Sequence, residues 1–135
     1  MSSAEHRDIY VAIIDDEESL RRSMCRFLRA SGLWPMTYES AEEFLADEIR
    51  THFDCLVLDI HLGGMSGMEL HQKLLADGDT VPVIFITAHD APEVRVQAES
   101  AGCAGYFRKT DPGERVLAAI RAAVQNRPVK IRPGA

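Results

Sequence analysis

The stretch Cys55-Leu56-Val57-Leu58-Asp59-Ile60-His61-Leu62-Gly63-Gly64-Met65-Ser66-Gly67 runs from unbroken apolar residues into a bare carboxylate and then into a glycine-rich segment. A short apolar run bounded by turn residues suits a strand covered on both faces. An aspartate closing such a run stands where the strand ends and a loop begins. The same arrangement recurs along the chain. Val11-Ala12-Ile13-Ile14 ends in Asp15-Asp16, Val83-Ile84-Phe85-Ile86 ends in Thr87, and Tyr106-Phe107 leads to Lys109. Chemically competent side chains thus close four separate strand-like runs, and that pattern reads as one site.

Between the strands lie helical patterns. Strands are expected at Ile9–Ile14, Pro35–Glu39, Asp54–Asp59, Pro82–Thr87 and Gly105–Arg108. A helix from Glu17 to about Ala30 carries Leu20, Met24, Phe27 and Leu28 on one face. Ser40 and Glu43 form a capping box for a second helix, striped by Ala41, Phe44, Leu45 and Ile49. A third spans Gly67–Ala76 with Leu70 and Leu74 inward, and a fourth spans Pro92–Ala101. The fifth is expected to start with Asp111 as N-cap and Pro112 at the first helical position, with Leu117, Ile120 and Val124 inward.

Strict alternation of strand and helix implies a parallel sheet with helices on both faces. Runs one, three and four are continuously apolar and belong inside the sheet; runs two and five are mixed and belong at its edges. The expected fold is therefore α/β, a flavodoxin-like doubly wound (βα)5 with strand order 2-1-3-4-5. Such sheets bind ligands at the carboxyl ends of their strands, where Asp15, Asp16, Asp59, Thr87 and Lys109 fall.

A chain of 135 residues supports one domain, here 1–126, followed by a tail or linker, 127–135. The net charge of −6 argues against non-specific binding to nucleic acid or an anionic membrane. No apolar run approaches a membrane span, and Met1-Ser2-Ser3-Ala4-Glu5-His6 has no secretory character, so a cytoplasmic location is expected. Cys25, Cys55 and Cys103 are odd in number and widely spaced, which suggests neither a disulfide framework nor zinc.

Three carboxylates held together repel one another unless some protonate or a cation joins them. An all-oxygen donor set favours Mg²⁺ over zinc. A lysine and a hydroxyl nearby suit a phosphoryl group, whose transfer needs mainly positioning and charge stabilisation. The parts fit an aspartate that accepts a phosphoryl group.

From Ile9 to Val124 the chain resembles a receiver domain of the two-component response regulators. The resemblance rests on Asp15-Asp16, on Asp59 followed eight residues later by Gly67, on Thr87-Ala88, and on Gly102-Cys103-Ala104-Gly105-Tyr106-Phe107-Arg108-Lys109. It implies a chemotaxis-regulator-like fold and Mg²⁺-dependent phosphotransfer from a phosphohistidine on a sensor histidine kinase or a histidine phosphotransfer protein. Asp59 would be the acceptor. Asp16 would bind Mg²⁺ directly, Asp15 mainly through water, and the backbone carbonyl of His61 would complete the protein ligands. Lys109 would pair with Asp59 and then with phosphoryl oxygens. Thr87 would move toward the phosphoryl group and let Tyr106 turn inward, changing the surface of helix four, strand five and helix five that meets an output protein. A homodimer is a further expectation. Such a protein is a signalling module, not an enzyme, and catalyses only its own phosphorylation and dephosphorylation.

Two positions depart from the family pattern. Thr110 follows Lys109 where a cis-bonded proline is usual, so this peptide is expected either trans with a shifted lysine loop or strained cis. Gly63 stands where a proline is usual, and with Gly64 beside it the loop beyond Asp59 is expected to be looser. Competing readings are an adaptor that works by binding alone, and the receiver part of a truncated transcription regulator. A nucleotide or flavin binder is disfavoured, because Asp15-Asp16-Glu17-Glu18 would repel phosphate without a metal. A phosphohydrolase typically wants a second acid two residues after its aspartate, where His61 stands.

Overall fold

The computed structural model describes residues 8–127. Its five strands are β1 (Tyr10–Ile14), β2 (Trp34–Tyr38), β3 (Cys55–Asp59), β4 (Val83–Thr87) and β5 (Gly105–Arg108). They alternate with α1 (Glu18–Ala30), α2 (Ala41–Ala46), α3 (Gly67–Ala76), α4 (Pro92–Ser100) and α5 (Gly113–Gln125). All pairings are parallel, and the strand order is β2-β1-β3-β4-β5, as expected for a flavodoxin-like (βα)5 sheet.

The apolar runs are explained by coverage. β3 and β4 are buried at every position, and β1 at all but Tyr10. Alternate side chains feed two cores. Ala12, Ile14, Leu56, Leu58 and Phe85 pack with Phe44 of α2, Leu70 and Leu74 of α3, and Ala98 of α4. Val11, Ile13, Val57, Ile84 and Ile86 pack with Leu28 of α1 and Val116, Ile120 and Val124 of α5. Each fully buried aliphatic side chain contributes about 1.5–3 kcal/mol, so the two layers together clamp the sheet between them.

The open side of β2 is blunted. Trp34 N–H bonds to Ile9 C=O, and Tyr38 C=O accepts from Asp15 N–H, so alternation turns the backbone of Pro35 away from β1. Proline has no N–H to offer there, which discourages pairing with another strand.

Two local expectations change, and one open alternative is decided. α2 ends at Ala46, and Ile49 lies outside it, 40% exposed, rather than on its apolar stripe. Asp47 causes the stop: its Oδ1 accepts from Ile49 N–H at 3.1 Å and its Oδ2 from Tyr38 Oη–H at 2.6 Å. At α5 the N-cap is Pro112, in extended conformation, not Asp111. Asp111 instead accepts the Arg108 N–H through Oδ2 at 2.8 Å, closing the turn after β5. The peptide between Lys109 and Thr110 is trans, one of the two alternatives the sequence leaves open; no cis bond occurs among the described residues. The expected tail beyond Arg127 lies outside the described residues.

Candidate functional site

The ends of β1, β3, β4 and β5 converge because parallel strands in register end on one side. Asp59 pairs with Ile86, and Thr87 with Arg108. Asp15 and Asp59 are buried, Thr87 is fully buried, and Asp16 is exposed at the rim. Carboxylate oxygens of Asp15, Asp16 and Asp59 lie within 4.8 Å of one another.

Lys109 stands at the centre. Its Nζ lies 3.1 Å from Asp59 Oδ2, 3.0 Å from Asp15 Oδ2 and 3.2 Å from Glu17 Oε1. One ammonium is therefore shared by three carboxylates. Burial alone would lower the Lys109 pKa, but the hydrogen bonds and charges of Asp15 and Asp59 outweigh it and hold it above the usual lysine range. For Asp15, burial is the largest influence and the Asp59 charge adds to it. Together they push its carboxyl up to about 6, against the Glu17 N–H bond and Lys109. Asp15 Oδ2 is also buried, with the Lys109 ammonium 3.0 Å away as its ion-pair partner. Three clustered carboxylates, two of them buried, share a single ammonium, and an excess of negative charge carried all on oxygen fits a hard divalent cation such as Mg²⁺.

The loop after Asp59 is tied down, contrary to the expectation of looseness. Asp59 Oδ1 accepts from His61 N–H at 3.0 Å. Met65 N–H donates to Glu42 Oε2 at 2.8 Å, which draws α2 onto the loop. That bond is the main reason the Glu42 carboxyl sits below its usual range. Ser66 and Glu69 form a reciprocal capping box at the start of α3. Gly64 has φ +70, a conformation that favours glycine. A side chain at Gly67 would run into the backbone carbonyl of Asp59, which explains why a glycine stands eight residues after the aspartate.

Thr87 Oγ1–H donates to His89 C=O at 3.0 Å and Oγ1 accepts from His89 N–H at 3.0 Å. The hydroxyl is thus held by its own loop. Tyr106 is inward, 7% exposed, with the Arg95 guanidinium 5.0 Å from its ring centroid. Arg95 of α4 lies over the inward ring. His61 and His89 are exposed at the mouth, with ring centroids 5.9 Å apart.

The structure brings together Asp15, Asp16, Asp59 and Lys109, and places Thr87 at the end of β4 and His61 on the loop after β3. The sequence reading missed Glu17 and Glu42 as members of the site. Glu17 looked like a helix N-terminal acid, which it also is, and Glu42 follows its helix N-cap by two residues; neither role announces a contact to a distant loop. It also missed His71, buried on α3 against Phe85. Its signal was present: Gly67, Leu70, His71 and Leu74 follow the spacing of a buried helix stripe.

The sequence matches the family model described as the response regulator receiver domain over residues 11–121. It is 34% identical over 118 residues to the response regulator protein TodT of Pseudomonas putida, covering 87% of this chain and 52% of that protein. It is 33% identical over 114 residues to the transcriptional regulatory protein FixJ of Azorhizobium caulinodans, covering 84% of this chain and 54% of that one. The chain spans about half the length of these curated relatives. Among solved structures it resembles the response regulator StyR, with TM-score 0.80, 35% identity, and coverage of 88% of this chain and 60% of that one. It also resembles FixJ-N, with TM-score 0.82, 31% identity, and coverage of 92% and 99%. No helix among the described residues is long and apolar enough to cross a membrane.

Proposed function

Because the chain belongs to the response regulator receiver domain family, we propose that Asp59 accepts a phosphoryl group from the phosphohistidine of a sensor histidine kinase or histidine phosphotransfer protein. The observation that carries this is the placement of Asp59: 2% exposed, 3.1 Å from the Lys109 ammonium, and beside two further carboxylates able to hold a cation. An Asp59 carboxylate oxygen forms a bond to phosphorus as the phosphorus–nitrogen bond of the donor breaks, and the leaving imidazole keeps the electron pair and takes a proton. Asp15, Asp16, Asp59 and the backbone carbonyl of His61 would hold Mg²⁺, which supplies charge neutralisation at the phosphoryl oxygens.

Lys109 starts shared among Asp15, Glu17 and Asp59, and transfers its donors to the phosphoryl oxygens as Asp59 becomes an acyl phosphate. The Thr87 hydroxyl leaves the His89 carbonyl and donates to a phosphoryl oxygen. Thr87 and Arg108 are neighbours across β4 and β5, so this motion reaches the α4–β5–α5 face, where an output protein or a second copy of the chain docks. The protein acts as a cytoplasmic signalling module whose catalysis is limited to its own phosphorylation and dephosphorylation.

A second reading, an adaptor independent of phosphorylation, draws on one observation: Tyr106 is inward, with the Arg95 guanidinium over its ring. Intact-mass spectrometry after acetyl phosphate and Mg²⁺ separates the two. A phosphoryl adduct is expected on the wild type, and is expected to vanish in Asp59→Asn and on chelation of Mg²⁺. A wild type that never gains the adduct sinks the phosphotransfer reading and leaves the adaptor.

A further inference from the structure

We propose that the imidazoles of His61 and His89 form a second cation site at the mouth of the pocket, one that takes a borderline transition ion such as Zn²⁺, Ni²⁺ or Cu²⁺. The two rings meet edge to face, at 5.9 Å between centroids and 71° between planes. They come from different loops, His61 from the one between β3 and α3, His89 from the one between β4 and α4. Their backbones are pinned: His61 N–H to Asp59 Oδ1, His89 N–H and C=O to the Thr87 hydroxyl. Every hydrogen bond of either residue runs through its backbone, which leaves the imidazole nitrogens uncommitted among the described residues. A neutral imidazole keeps one lone pair for a metal.

The spacing is close to what a shared ion needs. With metal–nitrogen bonds of about 2.0–2.1 Å, two imidazoles on one ion have centroids roughly 4.5–5.5 Å apart. A small rotation of two exposed side chains closes the difference, and water fills the remaining positions.

Donor chemistry then sorts the cations between two neighbouring places. The oxygens of Asp15, Asp16 and Asp59 suit Mg²⁺, whereas imidazole nitrogen prefers zinc, nickel and copper. An ion across His61 and His89 ties the two loops together and holds His89 where its backbone engages Thr87. Resting on the phosphotransfer reading, this bridge slows the arrival of a phosphoryl group at Asp59.

The test is isothermal titration of the chain with Zn²⁺ in saturating Mg²⁺, paired with electron paramagnetic resonance of the Cu²⁺ complex. The wild type is expected to bind a single ion with two imidazole nitrogens coupled to Cu²⁺. His61→Gln and His89→Gln are each expected to weaken binding by at least about tenfold and to leave one coupled nitrogen. Asp59→Asn is expected to bind Zn²⁺ as the wild type does, so failure of phosphorylation leaves this result standing. Absence of Zn²⁺ binding, or binding unchanged in both histidine variants, overturns the site. Acetyl phosphate incorporation that Zn²⁺ slows equally in wild type and His89→Gln overturns the regulatory bridge.

Discussion

Asp15 and Lys109 show how a single residue carries opposing demands. Asp15 is fully buried, yet the proposed cation site requires it charged. Burial pushes its carboxyl up to about 6, and one shared lysine does not offset that. Without metal, the ionised group therefore destabilises the fold. Asp15→Asn is expected to stabilise the metal-free protein by on the order of 1–3 kcal/mol, read from urea midpoints. Added Mg²⁺ is expected to narrow the gap by stabilising the wild type alone; an unchanged gap would count against Asp15 as a cation ligand.

His71 is the mirror case. It is 3% exposed, its Nδ1 has no partner among the described residues, and burial holds its pKa below 6.5. As pH falls below that value the unfolded chain takes up a proton that the folded chain refuses, so the contribution of His71, complete above 6.5, is lost on acidification. Stability is expected to fall by up to about 1 kcal/mol per pH unit from this residue. His71→Leu should flatten the midpoint between pH 7 and pH 5.5; equal slopes in both proteins would rule the account out.

Elements of this fold are held to the site by contacts that cross the chain. Glu42, from the first turn of α2, fixes the Met65 amide and crowds Gly64, so the glycine-rich loop is anchored from outside itself. Removing that acceptor frees the Met65 N–H without touching the acids. Glu42→Ala should raise the hydrogen-exchange rate at Met65 by about tenfold or more, while amides of β3 keep their protection. Unchanged exchange at Met65 would mean the loop is held by its glycine geometry and capping box alone. α4 lies at the other extreme. Only Ala98 is fully buried along it and Val96 is 62% exposed, so little apolar area anchors the helix that borders Tyr106. A helix anchored so lightly suits an element that shifts between states.

Across the whole molecule the sheet joins two cores, one under α1 and α5 and one under α2, α3 and α4. Phe85 lies in the second, on the strand that carries Thr87. Phe85→Ala is expected to cost about 3–5 kcal/mol. Because the cores share β1, β3 and β4, near- and far-ultraviolet circular dichroism should lose signal in one transition. Two separated transitions would show that the layers fold independently.

Much of this architecture was legible in the residue order. Unbroken apolar runs at β1, β3 and β4 announce strands buried on both faces, and the mixed runs at β2 and β5 announce edges. The polar residues that end those runs announce the site. Asp47, Asp111, Glu17 and Glu42 were not legible in the same way. A carboxylate near a helix end looks the same in sequence whether it caps that helix, closes a turn or reaches another element. Periodicity is a local property of the backbone and survives in the sequence, so the sequence by itself determined the strands, their order and the candidate acceptor Asp59. The sharing of Lys109 among acids up to 94 positions away, the anchoring of the loop by Glu42, the inward Tyr106 under Arg95 and the facing histidines were decided only in three dimensions. A side chain chooses its rotamer and its partner after distant strands have packed.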